Sequence, residues 1–495
     1  MANNQEYHHG VDTIENPTKL KNPINGSSAI PFVVGAAPVN LLDDPYSVVN
    51  VPVMVHKRSE ADAAIGFSYD WGRCKDDTSR FAYTLCQAVY AAFNICPVSP
   101  VILLNVLDPG KHVRDNGSVT LQVSSGMAKL EKAGALKKET VVHSGDALLE
   151  QGTDYVLSFD KNGYLDISVT DQTVTEIIVE TKVIDPSMVT EEDIIGGYDT
   201  GSGRNTGLEC IEDVFPNFNV TPGILICPGW SCSPMVAAAM QVKSVNINSV
   251  FGCENIVDLD CTGTGAKLYT QVKKVKEESA MAGTHEAVVW PMVRAGDKVL
   301  YYSSLYAAMV ASVDIANDDV PFMPQSNHKI AISGLVLDDE NNTEVMLTMP
   351  MANAVNGNGV ITAINFNGWR SWGNNTAAFP GTKDPKDRWF CCRRMMTYCK
   401  NHWILNYFDS VDNPVNLRLT QTVVENENMW YSSLFANGKI AGGNVTFDLS
   451  KNPVEQILDG KIIFDIRLAF FVPGEYIVGE FEYDPAILSE YFASA

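Results

Sequence analysis

Hydrophobic and polar positions along the chain change rhythm several times. AIPFVVGAAP (29–38), VPVMVH (51–56) and PVILLNVLDP (100–109) are apolar runs of strand length with little alternation. Runs of that kind suit strands buried on both faces of a largely parallel sheet. Between them Phe81, Leu85, Val89 and Ala92 recur at helical spacing. From residue 110 to 186 the pattern becomes alternating, in SVTLQVS, TVVHSG, DYVLSFDKNGYLDISV and TEIIVETKVID, and Asn162-Gly163 is a hairpin signal. The α/β rhythm returns in TPGILICPGWSCSPMVAAAMQVKSVN (221–246), ENIVDLD (254–260), HEAVVWPMV (285–293) and a long helix over 299–317.

The organisation that follows is a split α/β domain over 29–109 and 187–349, interrupted by a β-rich insertion at 110–186. An α+β domain is expected over 350–475. There Asn367-Gly368 marks a second hairpin, and Asp384-Pro385 is a helix start with proline at the first helical position. Trp389, Cys392, Met396, Cys399, Trp403 and Tyr407 predict one face of that helix. NLRLTQTVV (416–424), NVTFDLS, KIIFDIRLAFFV and EYIVGEFEYD (475–484) read as strands, so the domain is expected to end in one. Residues 1–28 are poor in apolar groups, and HGVDTIEN (9–16) alternates, which suggests an extended arm; 476–495 is its C-terminal counterpart.

Charge narrows the partners. The net charge of -23 and pI near 4.7 oppose binding to nucleic acid or an anionic membrane surface. No apolar run approaches the ~18 residues of a spanning helix, and the polar opening MANNQEYHHG offers no apolar signal core. The 11 cysteines are scattered, without a C-x-x-C, and are expected reduced and mostly buried.

Candidate chemistry is thin. ICPGWSCSP (226–234) has a serine on a strand-to-helix turn but lacks the second glycine of a nucleophile elbow, so Ser231 or Ser233 is expected to cap the helix. IVDLDCTGTG (256–265) offers Asp258 and Asp260 in the D-x-D-x-T pattern of haloacid-dehalogenase-like phosphotransfer, with magnesium held by a distal acidic pair such as Asp318-Asp319 or Asp338-Asp339. GSGRNTG (201–207) is glycine-rich without a preceding strand. His8-His9 has no metal-ligand spacing. Arg388, Arg393, Arg394 and Lys400 are expected on a solvated or acid-paired helix face. No cofactor, metal or catalytic residue is expected; the competing readings are a magnesium-dependent phosphatase-like hydrolase using Asp258/Asp260 and a monomeric adhesin.

Taken in order, the motifs resemble the contractile tail sheath proteins of myophages, R-type bacteriocins and contractile injection systems. HGVDTIENPT is similar to the family's opening segment, AIPFVVGAAP to its first core strand, VILLNVLDP (101–109) to the strand before a variable insertion, and PGILICPGWS to its Pro-Gly turn. NAVNGNGVITAINFNGWRSWGNNT (353–376), RWFCCRRMM (388–396) and EFEYDPAILSEYF (480–492) continue the likeness, which spans roughly 9–107 and 190–492. The resemblance implies a multidomain sheath-like fold of α/β and α+β parts with an inserted β-rich outer domain and two extended arms. It implies a structural subunit, not an enzyme, that polymerises as hexameric rings stacked helically around an inner tail tube. Baseplate and tail terminator proteins would be further partners, in a virion tail or bacteriocin or injection particle assembled in the bacterial cytoplasm. Val11, Asp12, Thr13 and Ile14 and Tyr476, Val478, Glu480 and Glu482 would form inter-subunit strands. Asn367, Gly368, Trp369, Trp372, Gly373, Arg393 and Arg394 would be structural groups of the C-terminal domain nearest the tube.

Overall fold

The computed structural model describes residues 27–72, 81–160 and 163–494. An eight-stranded sheet forms the body, in the order Val53–Val55, Val101–Asn105, Pro31–Gly35, Ile224–Ile226, Glu254–Asp258, Glu286–Val289, Val360–Asn365, Trp369–Trp372. The six inner strands run parallel, and the outermost strand at each end is antiparallel. Every residue of 31–35, 101–105 and 254–258 is buried, which is why these stretches are apolar without alternation. The helix Tyr302–Ile315 is enclosed on nearly all sides, so it too lacks a polar face.

Residues 113–184 build a separate β unit. One sheet holds Val113–Gln122, Glu176–Ile184, Val141–Ser144 and Ala147–Leu148; the other holds Met127–Leu130, Leu165–Val169 and Tyr155–Phe159. Leu165, Ile167 and Val169 point inward and alternate with half-exposed Asp166 and Ser168, the signature of a strand with one wet face. Tyr155, Leu157, Ile177 and Val179 complete a core of its own. Asn162 of the hairpin signal lies outside the described residues; the two strands beside it pair antiparallel.

The boundary expected near 350 falls later. Strands 360–365 and 369–372 hydrogen-bond onto the edge of the large sheet, so the Asn367-Gly368 hairpin belongs to the α/β body. Asn367 (φ +53) and Gly368 (φ +99) are both left of the ordinary region, the backbone a tight hairpin asks for.

Beyond it, Phe390–Tyr407 and Leu417–Ala436 are long helices over the hairpin Gly442–Thr446/Asp465–Ala469. Met395, Tyr398, Tyr431, Leu434 and Val445 form their core. The first helix docks on the body through Thr397 Oγ1, which donates to Glu254 Oε1 (2.6 Å), and Asn401, whose amide spans Gly252 N (3.1 Å) and O (2.8 Å). Sandwiched in this way, it buries more than the one predicted face; Phe390, Arg394, Tyr398 and His402 are enclosed as well. Residues 417–424, expected as strand, are the start of a helix. Asn416 caps it by accepting from Leu419 N (2.9 Å), and Thr420, Val423, Glu427, Tyr431 and Leu434 are buried at helical spacing. A short apolar run fits either period. The expected last strand is also corrected: 470–484 forms neither strand nor helix, and the helix Pro485–Ala493 follows it. No helix among the described residues is long and apolar enough to cross a membrane.

Candidate functional site

The acidic candidates prove to be structural. Asp258 ends a body strand, and its carboxylate accepts from Ser303 N (2.9 Å), Ser303 Oγ (2.5 Å) and Ser231 Oγ (3.2 Å), while its own N–H donates to Ser231 Oγ (2.9 Å). Burial pushes its pKa up to about 6, with those hydrogen bonds pulling the other way. It thus caps the 302–315 helix and ties it to the turn at 231. Asp260 closes a local turn by accepting from Thr262 N (2.9 Å). The space between Asp258, Asp260 and Asp338 measures about 10 Å³, room for a water at most and not for a phosphoryl group. Ser231 is fully buried. In GSGRNTG the Asp199 carboxylate itself accepts from Gly201 N (2.9 Å) and Ser202 N (3.1 Å), filling the cradle a phosphate would need. No group of three His, Cys, Asp or Glu among the described residues is placed to hold a metal.

The stretch NGNGVITAINFNGWRSWGNNTA is braced by its amides. Asn356 Nδ2 donates to Val360 O and Trp372 O (2.9 Å each), and Trp372 Nε1 donates to Asn353 Oδ1 (3.1 Å). Gly373 (φ +135) leaves a gap that Asn356 fills, 2.8 Å from where a Cβ would sit. Trp369 and Trp372 are half-buried. Arg370 Nη1 donates to Asn327 O (2.9 Å). Together with residues 473–476 this stretch lines a cleft of about 620 Å³.

That cleft leads to the most unusual surface. From Tyr476 to Phe492 the chain is a strap of exposed apolar residues: Tyr476 is 87% exposed, Ile477 89% and Phe481 100%, and no residue of the terminal helix is buried. Glu480 and Glu482 are exposed between them. A soluble domain seldom leaves so much apolar surface without a partner. A second surface of interest lies on the small C-terminal sheet. The two-stranded sheet 442–446/465–469 has no third strand among the described residues; the Asn428 side chain holds Val445 N (2.8 Å) and O (2.9 Å) on one edge, and the 465–469 edge has no strand partner. Beside Ile466 and Leu468 runs an apolar groove of about 300 Å³ walled by Met396, Trp403 and Tyr431.

The arginines of RWFCCRRMM separate on folding. Lys400 is exposed, Arg393 is nearly buried against Asp387 (3.1 Å), and Arg394 is buried with Asp314 (Nη1 to Oδ1, 2.9 Å). Arg394 Nη2 also donates to Ser28 O (2.9 Å). Sequence patterns missed Ser28 and Asp314 in these contacts, because they lie 366 and 80 residues from Arg394. The terminal helix did have a signal, since Asp484-Pro485 repeats Asp384-Pro385. Val11, Asp12, Thr13 and Ile14 lie outside the described residues.

No family model matches the chain. It is 25% identical over 505 residues to the tail sheath protein of Burkholderia phage BcepMu, covering 98% of both chains. It is 24% identical over 290 residues to the tail sheath protein of Escherichia phage P2, covering 56% of this chain and 66% of that one. Its fold is similar to the sheath of an extracellular contractile injection system, PVC, in the contracted state (TM-score 0.57, 15% identity, 97% of this chain and 99% of that one). It is similar also to the contracted helical sheath of the anti-feeding prophage (TM-score 0.56, 15% identity, 96% and 99%). An end-to-end relative among phage tail sheath proteins and a fold shared with contractile sheaths lead to one conclusion: the chain is similar, over nearly its whole length, to contractile tail sheath proteins.

Proposed function

We propose that this chain is the repeating subunit of a sheath that polymerises around an inner tube and contracts to drive that tube through a target cell envelope. The observation that carries the reading is the exposed strap 476–492, in a chain whose 465–469 edge has no strand partner among the described residues. A strap laid along a neighbour's 465–469 edge gains main-chain hydrogen bonds, and its alternate side chains enter the groove next to Ile466 and Leu468. Each large apolar side chain so covered contributes about 1.5–3 kcal/mol. Because the strap and the receiving sheet are different surfaces of one subunit, the contact is head-to-tail and repeats without closing on itself except as a ring or helix. Tyr476, Val478, Glu480 and Glu482 lie on the donated segment, and Val11, Asp12, Thr13 and Ile14 serve the N-terminal arm.

Contraction in this reading is a change between two packings of rigid bodies held by such tethers, and the new contacts drive it without a nucleotide. Hexameric rings stacked helically, a tube protein within, and baseplate and terminator proteins at the ends complete the particle. The β unit 113–184 lies outermost. The test is negative-stain electron microscopy of the recombinant chain, with co-expressed tube protein as template, beside a version ending at Glu475. Striated tubes or stacked rings from the full chain and dispersed monomers from the shortened one are expected. Normal sheaths from the shortened chain would overturn the strap's role.

A further inference from the structure

Two stretches far apart in sequence, the first described residues and the segment before the C-terminal strap, meet one short segment. Arg394 Nη2 donates to the carbonyl of Ser28, close to the first described residue. Asp319, close after the helix that supplies Asp314, completes the grip: its Oδ1 accepts from Ala29 N (2.9 Å) and Ser28 Oγ (3.1 Å). Asp314 and Arg394 are fully buried and Ser28 nearly so, so this is an enclosed, charge-assisted clamp with little competition from water. At the other root, Arg388 Nη2 donates to Glu475 Oε2 (3.1 Å), and Cys392 Sγ lies 3.5 Å from Phe471 O. The Arg388 guanidinium is itself fixed by stacking on Trp389 (3.9 Å to the ring centre) and by Nε donating to Asn375 Oδ1 (3.0 Å).

Residues 388–394 are in turn pinned to the body's edge. Thr376 N donates to Arg388 O (2.8 Å) and Phe390 N to Asn374 O (2.9 Å), just past the last sheet strand at 369–372. Residues 388–394 therefore touch the root of each arm and the edge of the large sheet, which the N-terminal root also enters directly at Pro31.

We propose that residues 388–394 are a shared anchor for both arms, with Arg394 and Arg388 as positioning residues that fix where each arm leaves the body. The inference rests on the arms being the inter-subunit tethers. Its consequence is that the offset between donated strand and receiving sheet is held constant while domains repack, since tension on one arm is opposed at the root of the other.

The test uses the full chain with Arg394→Lys and Arg388→Ala, read by hydrogen exchange at the Ala29 amide and by electron microscopy of sheaths. Arg394→Lys keeps the charge and loses the fork, and Ala29 exchange is expected to quicken roughly tenfold. Arg388 touches none of Ser28, Asp314 or Asp319, yet on a shared anchor Arg388→Ala also quickens Ala29, by a few-fold. Sheaths from either variant are expected to be shorter and less regular. An unchanged Ala29 amide in Arg388→Ala overturns the shared anchor, even where Arg394→Lys acts as expected. Should Arg394→Lys fail to fold, the partly exposed Arg388→Ala decides alone. A wild-type chain that forms no sheath even on its tube counts against the proposed function, whereas the exchange result still decides the anchor.

Discussion

The body strand VILLN (101–105) and the strap segment YIVGEFEY (476–483) draw on similar strand-forming residues and meet opposite fates. The first is buried throughout and hydrogen-bonded on both sides. The second is exposed and outside any ladder. Strand propensity reports that a segment fits a pleated surface, not which chain supplies the neighbour. In this molecule the continuous apolar run pairs within its own chain, and the C-terminal run pairs with no strand among the described residues.

Truncation separates these roles most sharply. Leu103→Ala opens a cavity in a filled core, and about 2–5 kcal/mol of folding stability should be lost. Phe481→Ala removes a side chain that touches solvent alone, so monomer stability should stay within about 0.5 kcal/mol of wild type. Sheath formation should rank the other way, with Phe481→Ala weakening assembly at protein concentrations where wild type polymerises. Urea unfolding of the monomer and sedimentation of sheaths give the two readings. If Phe481→Ala unfolds as easily as Leu103→Ala, the strap packs on its own subunit and the contrast fails.

A second contrast concerns charge. Burial holds Asp258 near 6, against a usual value of 3.8. The folded state therefore binds that proton more tightly than the unfolded state. The associated stability is fully present below about pH 4 and lost as pH rises through 6. A difference of about 2 between the folded and unfolded values is worth about 3 kcal/mol. Glu286, pushed by burial to about 7, and Asp319, to about 6, act in the same direction. Urea midpoints should thus fall between pH 4 and 7.5, and Asp258→Asn should flatten part of that fall. A wild-type midpoint that rises over this window would contradict the buried-acid account.

The legibility of the chain follows the range of its interactions. Local signals served well where one period or one turn dominates: the unalternating runs at 31–35 and 101–105, the alternation at 165–169, the turn at Asn367-Gly368. They failed at 416–424, where alternation and helical spacing coincide and the Asn416 cap decides. The domain edge near 350 was misplaced because pairing of 360–365 with 286–289 is long-range. Asp258 and Asp260 resembled a catalytic pair because a D-x-D pattern does not reveal that two serines already occupy the first carboxylate. Arg394 with Asp314 and Ser28 was out of reach for the same reason, since no spacing encodes a contact across the fold.

The smallest expected effect tests whether one local signal carries the same weight in both regions. Asp384-Pro385 and Asp484-Pro485 each start a helix, with the aspartate accepting from the N–H two residues on, at 3.2 Å and 2.8 Å. The first helix leads into the packed segment 388–394; the second packs against nothing that buries any of its residues. Asp384→Ala should lower the melting midpoint of the monomer by about 2 °C. Asp484→Ala removes an equivalent cap, yet the terminal helix unfolds independently of the body, so the midpoint should not move. Circular dichroism at low temperature should instead show a slight loss of helix. If the two variants lower the midpoint equally, the terminal helix is coupled to the body, and the strap is a folded part of its own subunit instead of a segment held out for a neighbour.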